Sequence, residues 1–123
     1  MKPEMFFSRT IRSLRLLFFG KKTAVPVVIA FLICLIPGIT EEIAFRGLIQ
    51  HWLHTVLKPW RAIVLTAALF TALHMSVLSA PILFLAGMLF GWVKWKSRSL
   101  YPSILMHIIY NWVSIQLFQT VMK

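Results

Sequence analysis

The chain has 123 residues, 59% of them hydrophobic, a mean hydropathy of +0.82 and a formal net charge of +10. That composition is far more apolar than the roughly 45–50% of soluble domains, so a bilayer is the solvent for most of its surface. The Lys and Arg residues gather at the ends of apolar runs, as topology signals do; no zinc-finger spacing, nucleotide loop or aromatic–basic repeat accompanies them, which sets nucleic-acid binding aside.

Residues 1–22 read as a basic amphipathic juxtamembrane segment. Arg9, Arg12 and Arg15 recur every third residue, while Phe7, Ile11, Leu14 and Phe18 follow helical spacing on the other face. Residues 23–123 read as a single transmembrane domain. A first apolar run, Thr23 to Ile36, is expected to close at Pro37-Gly38, a breaker followed by a turn. Thr40 is then placed to cap a second helix that carries Glu41 and Glu42 in its first turn and runs to about Leu57. On that helix Glu42, Arg46, Gln50 and His54 step by four and form one polar stripe. A third helix is expected over Trp60–Val77, a fourth over Pro81–Lys96 and a fifth over Tyr101–Met122. The fourth contains Gly87-x-x-x-Gly91, a spacing that lets membrane helices approach closely. Cys34, the single cysteine, rules out an internal disulfide and reads as a small core residue.

The expected fold is therefore all-α: a polytopic transmembrane helical bundle of about five membrane-embedded helices behind the basic segment. Lys and Arg number six in the leader, two at the 58–61 junction and three at 94–98, with none in the 37–40 and 77–81 turns. By the positive-inside rule this puts the N-terminus in the cytoplasm and the C-terminus outside after five passes.

Three segments carry candidate chemistry: Glu41-Glu42-Ile43-Ala44-Phe45-Arg46, Phe70-Thr71-Ala72-Leu73-His74, and His107-Ile108-Ile109-Tyr110-Asn111. An ionisable side chain in a membrane helix is expensive to bury and marks function by default. Glu42 and Arg46 are four apart with the acid first, the favourable order for a helical ion pair. His107 and Asn111 share a face by the same spacing, and His74 comes from a separate helix, with Phe70 expected to pack beneath it. The set holds a base, hydrogen-bond donors and a fixed cation, enough to activate water and to stabilise an oxyanion.

These segments resemble the CAAX-protease and bacteriocin-processing (CPBP, Abi-type) family of intramembrane endopeptidases, whose signature is E-E-x-x-x-R, F-x-x-x-H and H-x-x-x-N/D on successive membrane helices. The resemblance spans residues 24–120 and implies hydrolysis of a peptide bond in a membrane-associated peptide or protein. It implies Glu41 as the general base that polarises water and His74 as its positioning partner. Glu42, held by Arg46, would orient its neighbour, and His107 with Asn111 would bind the developing oxyanion. Glu41, His74 and His107 could also supply the two-His-one-carboxylate set of a divalent metal such as zinc, although H-E-x-x-H is absent; a glutamate-activated water uses the same residues, and both readings stand.

Two other function classes fit the same composition. One is a non-catalytic protein of the same fold, such as a bacteriocin self-immunity factor or a scaffold. The other is a small ion or proton transporter, against which the lack of internal repeats counts. The expected partners are the lipid bilayer and the substrate, with homo-oligomerisation left open. The short chain and basic leader lean toward a bacterial cytoplasmic membrane.

Overall fold

The computed structural model describes residues 24–121, so the basic segment at 1–22 lies outside the described residues. Among these there are four helices and no strand. The first is a continuous rod made of α1 (Ala24–Glu42), a π-helical segment (Ile43–Ile49) and α2 (Gln50–Val56). It is followed by α3 (Pro59–Leu73), α4 (Ala80–Ser97) and α5 (Tyr101–Val121).

The rod corrects the expectation of a break at residues 37–40. Pro37 lies inside α1, and the Thr40 hydroxyl, rather than capping a new helix, donates to the Ile36 carbonyl one turn back at 2.8 Å. A proline costs one helical hydrogen bond in any solvent. In water a chain can leave the helix there and solvate its backbone, but in lipid leaving strands many more polar groups than the one proline removes, so the helix continues. Nor is Gly38 a turn residue. A Cβ there would stand 2.6 Å from Ile108 Cγ1 and 3.3 Å from the Ile108 nitrogen, so the missing side chain is what lets α5 lie against the rod. The five expected helices thus become four, and Ala24 stands at the opposite end of the rod from the 57–59 junction. With no turn at 37–40, the described chain has one helix fewer than the five on which a cytoplasmic N-terminus was expected.

The rod and α5 run antiparallel, with Cys34 against Asn111, Gly38 against Ile108 and Gly47 against Leu100. The α3–α4 hairpin packs beside them. Gly87 and Gly91 make its close contact, since a Cβ at either would come within 3.2 Å of Ala67 or 3.1 Å of Ile63. α3 stops at Leu73, short of the expected Val77, because the chain turns at His74 and Met75 takes the left-handed conformation with φ 50°.

Outside, the bundle is apolar. The stretch Val27–Val56 is the one helix among the described residues long and apolar enough to cross a membrane, while apolar α3 is shorter. One end of the bundle gathers Trp52, Trp60, Trp92, Trp95 and Tyr101, all exposed, together with Lys58, Arg61, Lys94, Lys96 and Arg98. An aromatic and basic belt of this kind sits at a membrane–water interface. Inside, Phe45, Phe70 and Leu83 form the core cluster, yet the largest fully buried side chain is Arg46.

Candidate active site

The site is built around the π-helical segment. Its wider turn is seen where the Gln50 N–H bonds to the Phe45 carbonyl five residues back. Glu42, Arg46 and Gln50 are completely buried along one side of the rod, facing α4. Arg46 donates from Nη1 to Glu42 Oε1 at 2.8 Å and from Nη2 to the Gly87 carbonyl at 3.0 Å. One turn on, Gln50 Nε2 donates to the Gly91 carbonyl at 3.0 Å and meets His54 Nε2 at 3.2 Å. Two glycine carbonyls of α4 thus receive two successive polar side chains of the rod. The Arg46 guanidinium also lies 4.7 Å from the Phe70 ring centre, with Phe90 at 5.4 Å and Phe45 at 5.9 Å, so aromatic faces take part of the role of water around it.

Glu42 Oε1 has a second partner. His107 Nδ1–H donates to it at 2.9 Å, and Phe90 stacks on the same imidazole with ring centres 5.0 Å apart. His74 is oriented in the same manner by another acceptor: its Nδ1–H donates to the Phe70 carbonyl at 2.7 Å, while the Phe70 ring packs 4.4 Å away. A carbonyl and a carboxylate can only accept, so both histidines carry a proton on Nδ1 and, when neutral, present an Nε2 lone pair. Those two nitrogens converge on one atom, Glu41 Oε2, at 3.8 Å from His74 and 3.7 Å from His107.

Glu41 Oε2 is buried and has no hydrogen-bond partner, although a third of its side chain is exposed. The separations exceed a direct hydrogen bond, so the three groups face one another across a gap without bonding directly. All three belong to a cleft of about 590 Å³ that continues between the first half of the rod and the last half of α5. Its walls are apolar at Ile33, Pro37, Ile82, Leu83 and Ile115 and bear hydroxyls at Ser76, Ser79, Tyr110 and Ser114. Asn111 lines this cleft too, one turn beyond His107, its amide donating weakly to the Cys34 carbonyl at 3.4 Å.

All six residues singled out in the sequence therefore fall in one place: Glu41, Glu42, Arg46, His74 and His107 in direct contact or near it, and Asn111 at the rim. The donor types suit a divalent ion such as zinc as well as a bound water, and the two separations lie between the roughly 3.3 Å of donors on one zinc and the roughly 4.4 Å of acceptors sharing one water. Among the described residues no group of three or more His, Cys, Asp or Glu side chains is set to hold a metal ion.

Sequence reasoning missed Phe90 as the buttress of His107 and the glycine carbonyls as acceptors. The Gly87-x-x-x-Gly91 spacing signalled a close approach. That it should match the four-residue step of Arg46 and Gln50 was a signal available in the sequence and left unread. The sequence model of the family described as Type II CAAX prenyl endopeptidase Rce1-like matches residues 23–113. Neither a curated protein nor a solved structure gives a match.

Proposed function

Since the chain belongs to the Rce1-like family of type II CAAX prenyl endopeptidases, a family of membrane-embedded proteases, we propose that it hydrolyses a peptide bond of a membrane-associated peptide or protein with a water held by Glu41. The observation that carries this is the convergence of two oriented imidazole nitrogens on the unpartnered Glu41 Oε2. A water between them donates one hydrogen to Glu41 and the other to His74. As its oxygen attacks the scissile carbonyl, Glu41 takes the proton and passes it to the leaving amine. Asn111 supplies an N–H to the oxyanion. His107 supplies a second from Nε2 in its protonated form, for which the Glu42 carboxylate on Nδ1 is the counter-ion.

The test compares protein termini in membranes of cells that express the wild type or Glu41→Gln at equal levels. New termini are expected with the wild type alone. Identical profiles from two inserted, folded proteins would refute the reading and favour a scaffold or immunity role. The same peptides should still be released after treatment with a chelator. Loss of cleavage that zinc restores would instead give Glu41, His74 and His107 to an ion.

A further inference from the structure

We propose that the α3–α4 hairpin is re-entrant: it enters from the basic, Trp-rich end and turns back within the bilayer, its His74–Ser79 turn lying among acyl chains. Both feet of the hairpin stand in the interfacial belt, at Lys58, Trp60 and Arg61 on one side and Trp92, Lys94, Trp95 and Lys96 on the other. Between Arg61 and Lys94 no residue is acidic or basic apart from His74.

Length decides how far the hairpin reaches. α3 has 15 residues, about 22 Å, against about 30 Å of hydrocarbon. The level of its tip is fixed independently by the 3.8 Å approach of His74 to Glu41, which stands near the middle of the 30-residue stretch Val27–Val56. Beyond that level the rod continues back to Ala24 and α5 onward to Val121, and the hairpin does not accompany them.

The turn has the chemistry of that position. Met75, Val77 and Leu78 are 91%, 92% and 95% exposed, an arrangement unfavourable in water and natural in lipid. Irregular backbone at membrane depth is tolerated where it lines a hydrated cavity. Ser76 and Ser79 meet that condition: both line the cleft, and the Ser79 N–H bonds to the Ser76 hydroxyl. Within six residues the turn therefore shows serines to the cleft and large apolar side chains outward, forming a lip where the bilayer interior meets Glu41, His74 and His107. This inference does not depend on the peptidase reading.

Depth measured with spin labels tests it on the full chain in proteoliposomes, without reference to activity. Cys34→Ala removes the native thiol and keeps the backbone carbonyl that Asn111 uses. Nitroxides are then placed by Leu78→Cys and, separately, Val77→Cys in the turn, by Ser97→Cys at the basic end and by Val121→Cys at the end of α5. At 77 and 78 collisions with dissolved oxygen should exceed those with a water-soluble nickel chelate several-fold, and the depth should exceed that at 97 and at 121. A preference for the chelate at either turn position, or a turn depth equal to that of position 121, would show a hairpin that crosses to the far surface and would overturn the proposal.

Discussion

Arg46 shows most directly what holds the site together. A fully buried guanidinium survives because it is shared among Glu42, the Gly87 carbonyl and three aromatic rings, and because the carboxylate it pairs with also anchors His107. Breaking a buried ion pair by removing one partner leaves the other charge uncompensated, typically at about 3–5 kcal/mol. Arg46→Met is therefore expected to lower thermal stability by an amount in that range and to abolish cleavage by releasing His107. The double variant Glu42→Gln/Arg46→Met should recover part of the stability, read as a melting temperature in detergent, while cleavage stays lost. Recovery of none of it would mean that Arg46 stabilises through its aromatic neighbours rather than through charge.

At the scale of elements, the helix-to-helix contacts depend on side chains that are absent. Gly38 lets α5 approach the rod, and a larger residue there has nowhere to go. Gly38→Val is expected to cost about 1–3 kcal/mol by overpacking, with Ile108→Ala restoring much of it. A melting temperature unchanged by Gly38→Val would show that the two helices part easily at this level. The same position explains what the sequence did and did not make legible. Glu41, Glu42, Arg46, His74, His107 and Asn111 could be read because an ion pair or a shared face fixes their local spacing and because the three segments recur in a known order. Helix ends near 56–59, 97 and 101 were legible from basic and aromatic residues. The continuity through Pro37 and Gly38 was not, because the rules that make this dipeptide a breaker presume a solvent able to take over the freed backbone groups. The short end of α3 escaped for a similar reason. Met75 to Leu78 is as apolar as the helix it ends, and only contact with the rod shows where the chain turns.

For the whole molecule, the distribution of surface accounts for where it resides. Large apolar side chains are exposed along all four helices, and charged groups outside the buried cluster stand at one end of the described structure. A protein so clothed is held by hydrocarbon rather than by headgroup charge. Alkaline carbonate and high salt should both leave it in the membrane pellet, and its release by either would mean that the bundle rests on the bilayer instead of in it. The π-helical segment acts at this scale too. Each residue of an α-helix turns the chain by about 100°, and the five-residue bond from Gln50 to Phe45 stores one residue more than the regular spiral needs. The two arms of the rod are thereby phased apart: one aims Glu41 at the cleft while the other keeps Gln50 on the glycine carbonyl of α4. Excising Leu48, an exposed residue of this segment, would let the spiral close, swinging the carboxylates about a quarter-turn away from both histidines with every side chain of the site still present.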